Sequence, residues 1–173
     1  LVKDYFDEDG FPLTRNPSDL IFFAKYFILC KECIQDAQQY VPEFLESIID
    51  KNLISIKNIL TPNEQVPLFN GGTEEDLHQF NRFISDLDNK SKDKKNIIGG
   101  IQIFKYKNSS VFFDIGNPPN KSFSKSYQSG PLSFEYYFEG KKIITNCGFG
   151  SNISTKAELL SRLTSAQSTL TLN

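Results

Sequence analysis

Apolar side chains recur at Leu20, Phe23, Ala24, Phe27, Ile28 and Ile34, with Ile21, Phe22 and Leu29 on the other side. This spacing predicts a helix from Leu20 to about Gln39, buried nearly all round. Asn16 followed by Pro17 supplies its start, a capping side chain ahead of a proline at the first helical position. A second helix from near Pro42 carries Phe44, Leu45, Ile48, Ile49, Ile56 and Leu60, and ends before Thr61-Pro62, so the two form an αα-hairpin. Thr73 then predicts the cap of a third helix, with an acidic first turn (Glu74, Glu75, Asp76) and Leu77, Phe80, Ile84 and Leu87 on one face.

From Asp88 to Asn96 the chain has no apolar residue and mixes charges with turn formers, which marks a boundary. Beyond it the pattern changes to short alternating runs. Ile101 to Tyr106 and Val111 to Ile115 flank a turn at Asn108-Ser109, and Leu132 to Phe138 and Lys141 to Cys147 flank Glu139-Gly140. A Gly-, Pro- and Ser-rich loop from Gly116 to Pro131 separates the hairpins, and Thr169 to Leu172 begins another strand. Helices first and strands afterwards read as α+β, N-terminal helices followed by antiparallel strands of a β-sandwich, with domains expected at 1–90 and 91–173.

The 173 residues are 39% hydrophobic and 23% charged, with net charge -2 and pI near 5.5. That composition fits a folded chain and lacks the basic footprint of a nucleic-acid binder. The longest apolar stretch, Leu20 to Cys30, contains Lys25 and is too short for a membrane span. With Leu1 at its start, no Met, no leader and a β-like run at its end, the sequence reads as an internal fragment. Cys30 and Cys33 make a C-x-x-C inside an apolar helix, with no second pair or neighbouring His, so buried structural thiols are expected.

His78 is the only histidine and lies one position off the apolar stripe of its helix, without a nucleophile or second ligand at motif spacing. Gly71-Gly72 and Gly99-Gly100 lack the surroundings of a phosphate-binding loop and read as turns. Most of the 16 Phe and 7 Tyr fall on core faces. Read from the residues alone, the chain has an architecture and no self-evident catalytic site.

Five segments say more: DEDGFPLTRNPS (Asp7 to Ser18), PLFNGG (Pro67 to Gly72), DIGNPP (Asp114 to Pro119), SGPLSFEYYFEGKKIITNCG (Ser129 to Gly148) and SRLTSAQSTLTLN (Ser161 to Asn173). In this order they resemble the heparinase II/III-like family of polysaccharide lyases, especially its bacterial branch. The resemblance implies that the helices are the end of an α/α-toroid and the strands the start of its β-sandwich. It also implies a periplasmic or envelope-associated parent protein acting on an acidic polysaccharide or oligosaccharide. Such lyases cleave uronate polymers by β-elimination, which needs a neutralised carboxylate, a base for the C5 proton and a proton for the departing O4.

The chain departs from that pattern where the chemistry concentrates. Ser126 and Gln128 replace an H-x-H pair, Asn146 replaces an Asp, and Gln167 replaces a later His; Ser18-Asp19 occupy the place of a toroid tyrosine. In the metal-binding members the second His of the pair, that Asp and the later His hold a structural zinc. Three neutral amides are poor substitutes, so neither zinc nor another cofactor is expected, and an amide hydrogen-bond network is the anticipated replacement. The candidate catalytic residue is Tyr127, with Arg15, Asn70, Gln128, Asn146, Arg162 and Gln167 as candidate substrate binders. Two functions follow from the resemblance, a polysaccharide lyase or a non-catalytic carbohydrate-binding relative that has lost the catalytic and metal histidines; a third, a cytosolic helical-plus-β interaction module unrelated to lyases, requires the five matches to be accidental.

Overall fold

The computed structural model describes residues 2–87 and 94–169. After a short turn of helix, α1 (Val2–Tyr5), come α2 (Pro17–Asp36), α3 (Glu43–Ile59) and α4 (His78–Leu87). Five strands follow: β1 (Ile97–Ile98), β2 (Ile101–Tyr106), β3 (Ser109–Asp114), β4 (Phe134–Phe138) and β5 (Lys141–Ile144). They pair antiparallel in chain order as one sheet, with Ile101 opposite Asp114 and Phe112 opposite Glu135. A last helix, α5 (Thr155–Ser161), lies beyond the sheet.

The α2 start is as its sequence dictates: the Asn16 side chain accepts from Ser18 N–H at 2.9 Å, and Pro17 opens the helix. Both expected hairpins form, one of them with its turn displaced. Glu139 (φ +49°) and Gly140 (φ +76°) turn the β4–β5 hairpin, whereas the β2–β3 turn uses Lys107 (φ +49°) and Asn108, one residue earlier than the pattern suggests.

Helices and sheet share one core. Leu20, Ile21 and Ala24 of α2 and Ile56 and Ile59 of α3 belong to the same apolar cluster as Ile98, Ile101, Phe112 and Tyr137. Burial of this kind contributes roughly 1.5–3 kcal/mol per large side chain, and here it ties the two halves of the chain together.

Three expectations are corrected. The α2 helix is amphipathic: Phe22, Tyr26 and Leu29 are about half exposed, because α3, the main element packed along it, covers the opposite face. For the same reason Cys30 and Cys33 are exposed thiols. The third helix begins at His78, not Thr73. Thr73 N–H donates to Ser18 Oγ at 3.0 Å, Glu74 and Glu75 pair with Lys142 and Lys25, and Asp76 caps the helix by accepting from His78 N–H at 3.0 Å. The short α5 was not anticipated; Ser154 caps it by accepting from Ala157 N–H at 3.1 Å. All of the strand expected from Thr169 to Leu172 but Thr169, and most of the charged Asp88 to Asn96 stretch, lie outside the described residues.

Candidate functional site

Arg15 has a left-handed backbone (φ +58°) that turns its side chain away from α2 and into the sheet. Its guanidinium forms an ion pair with Asp114 at the end of β3. It also donates to the carbonyls of Gly99 (3.2 Å), Gly100 (3.3 Å), Gly116 (3.0 Å) and Asn117 (3.0 Å). A Cβ at Gly116 would lie 2.5 Å from the guanidinium, so the loop after β3 can close on Arg15 only with glycine there. Asn70 completes the joint, donating from Nδ2 to Asp114 Oδ2 at 3.1 Å and to the Arg15 carbonyl at 3.3 Å. The charge pair is buried but satisfied on every side, as a buried pair must be.

Next to this joint, between the start of α2 and the loops before β4 and after β5, lies a cleft of about 670 Å³. Tyr5, Thr14, Asn16, Asp19, Lys125 and Ser126 are among its lining side chains. The carboxylate of Asp19 is held from two directions, by Thr14 Oγ1 at 2.7 Å and Asn16 Nδ2 at 3.3 Å. Burial pushes the Asp19 carboxyl above the usual carboxylate range, against the pull of the Thr14 hydrogen bond. Burial, with the Asp19 charge second, raises the Tyr5 phenol. Gly71 (φ +101°) forms part of the floor; a Cβ there would meet that of Ser126 at 2.5 Å.

Behind that floor is a corner built of amides. Gln128 accepts from Gly71 N–H (3.1 Å) and donates to the carbonyls of Gly148 (2.7 Å) and Ser161 (3.0 Å). Gln167 donates to the same Ser161 carbonyl at 2.7 Å. Asn146 Oδ1 accepts from Ser168 N–H and Ser168 Oγ, each at 3.0 Å. The resemblance implies zinc in this region, but the donors do not suit it. Carboxamides are weak zinc ligands beside imidazole, thiolate or carboxylate, and no three His, Cys, Asp or Glu side chains converge among the described residues. The residues present do not fit the ion.

Five of the seven candidates read from the sequence fall into two groups, and none of the seven is among the residues lining the cleft. Arg15 and Asn70 meet at the joint; Gln128, Asn146 and Gln167 meet at the corner. Arg162 caps the far edge, paired with Glu158 at 3.3 Å, bonded to the Lys125 carbonyl and 5.5 Å from the Phe149 ring. Tyr127 is half-buried; burial and the Asp114 charge raise its phenol while Arg15 lowers it. The lining groups Tyr5, Thr14, Asp19 and Lys125 were missed. Asp19 had two signals in the sequence: it lies three residues after the Asn16 cap, and Ser18-Asp19 occupy the place of a toroid tyrosine in the family pattern.

Residues 92–173 match the model of a family described as "Heparinase II/III-like, C-terminal". Among solved structures, a heparan sulfate lyase HepC mutant from Pedobacter heparinus superposes with TM-score 0.77 at 17% identity, covering 99% of this chain and 31% of that one. The unmutated HepC from the same organism gives 0.75 at 18% identity, with 99% and 31% covered. A structure of heparinase III gives 0.75 at 13% identity, with 96% and 32% covered. At these identities the likeness is one of fold, and the chain spans about a third of the length of those structures. No curated protein matches the chain. A match along the β-rich half and a shared fold along nearly the whole length agree: residues 92–173 are similar to the C-terminal part of heparinase II/III-like proteins, and the chain has the fold of that part of the heparan sulfate lyases.

Proposed function

We propose that this chain forms the substrate cleft of a polysaccharide lyase that breaks uronate-containing polysaccharide by β-elimination. The observation that carries the reading is the cleft at Asp19 and Tyr5, where one held carboxylate and one phenol face the same open space. Elimination needs a group to take the C5 proton and a group to protonate the departing oxygen. A carboxylate with a raised pKa is a stronger base than an ordinary one, and a phenol with a raised pKa stays protonated and can donate. Lys125 supplies the positive charge that a uronate carboxylate requires. The heparan sulfate lyases of like fold act on a polymer of this class, which supports the substrate assignment. Such polymers lie outside the cytoplasm, and a periplasmic or envelope location is part of this proposal.

A second reading is a carbohydrate-binding relative without activity. It is favoured by Ser126 lying on the cleft where the family pattern has a histidine, since a hydroxyl without an adjacent base does not remove a carbon-bound proton. Incubating the full-length protein with a panel of uronate polysaccharides and following the ultraviolet absorbance of the unsaturated product separates the two. A rising trace establishes the lyase; a flat trace on every polymer, with binding still measurable by calorimetry, establishes the binder. Among the described residues no helix is long and apolar enough to cross a membrane.

A further inference from the structure

We propose that Gln128, Asn146 and Gln167 form a metal-independent brace, in which amide hydrogen bonds make the ties that the family resemblance assigns to zinc. Gln128 is 2% exposed and joins three separate segments through one carboxamide: the 70–72 loop, the chain after β5 and the end of α5. Gln167 brings a fourth segment onto the same Ser161 carbonyl, filling both of its acceptor positions. Asn146 ties its own segment to Ser168 entirely through Oδ1. Its Nδ2 is buried and finds no acceptor among the described residues, so the position works as an acceptor, the role a carboxylate would fill.

A tetrahedral ion would need anionic or imidazole ligands to offset its charge. Neutral amides carry donors and acceptors together and need no cation. Because Gln128 also holds Gly71, the brace reaches the floor of the cleft, which makes Gln128 a positioning residue whether or not the cleft is catalytic.

The test is elemental analysis of the full-length protein together with thermal unfolding in the presence and absence of a chelator. The expected result is zinc well below one equivalent, no change in Tm with chelator, and a Tm lowered by several degrees in Gln128→Leu. If that variant does not fold, Gln167→Leu breaks the second bond to Ser161 at a less buried position and gives the same reading. The triple variant Gln128→His, Asn146→Asp, Gln167→His, folded by circular dichroism, is expected to take up one zinc and to acquire a chelator-sensitive Tm. One equivalent of zinc in the unaltered protein, with Tm falling on its removal, overturns the proposal. So does an unchanged Tm in both single variants, or a folded triple variant that takes up no zinc.

Discussion

Arg15 donates into the carboxylate of Asp114 from 99 residues away, and the two side chains are 10% and 2% exposed. Asn70 takes the other carboxylate oxygen, so the pair joins the α2 entry, the 67–72 loop and β3 at one point. Removing one partner of a buried pair leaves an uncompensated charge, at about 3–5 kcal/mol. Arg15→Met is expected to lower the unfolding free energy in urea by that amount. Arg15→Lys recovers only part of it, because an ammonium group cannot reproduce the fork that meets four backbone carbonyls.

Glu135 on β4 is fully buried and accepts from Leu68 N–H (3.2 Å), Asn146 N–H (3.1 Å), Thr145 Oγ1 (2.9 Å) and Tyr137 Oη (2.7 Å). Burial, reinforced by the Glu135 charge, keeps the Tyr137 phenol protonated far above its ordinary range. Tyr137→Phe loses one hydrogen bond to a charged group, about 1.5–3 kcal/mol. Glu135→Leu is expected to be the more damaging change, because it strands two buried backbone donors at about 1–3 kcal/mol each. Denaturant midpoints of the two variants check the order.

Asp19 has a folded pKa above its unfolded value of about 3.9. The folded state therefore binds its proton more tightly, so stability from this group is complete below the unfolded pKa and is lost as pH rises through the folded one. Asp19→Asn is expected to raise the urea midpoint at pH 7 and to show no gain below about pH 4. An equal midpoint change at both pH values would contradict the assignment.

If the cleft is catalytic, Tyr5→Phe and Asp19→Asn should each reduce kcat/KM by roughly 10²–10⁴. Lys125→Ala should act mainly on KM, through loss of substrate charge pairing. Tyr127→Phe separates the sequence-derived candidate from the cleft groups. A loss as large as that of Tyr5→Phe would return the acid-base role to Tyr127, whereas a small loss leaves it at Tyr5 and Asp19. Initial rates from product absorbance distinguish these patterns.

The α2 and α3 helices, the Asn16 cap and the two hairpins were legible in the sequence because each is set by residues within a few positions of one another. The start of α4 was not, since Thr73 is claimed by Ser18 at a separation of 55 residues, which no local pattern contains. The same holds for the site. The family resemblance drew attention to Arg15, Gln128 and Asn146, but only the packing of helices on sheet turns them behind the cleft and brings Tyr5 and Asp19 to its surface. Half-exposure of Phe22 and Tyr26 was equally hidden, because periodicity records that a face is apolar and not whether anything covers it.

The shared core also bears on how such a chain can be recombined. A cut at residue 92, where the family match begins, would bare Ile98, Ile101 and Phe112 and strip Asp114 of Arg15 and Asn70 together. Grafting the β-rich half onto another helical partner therefore succeeds only if an arginine on a left-handed turn and an Asn-Gly loop arrive with it. The unit that evolution or an engineer can move is the sheet plus the turn and the loop that fasten it to the helices, not the stretch that sequence similarity outlines.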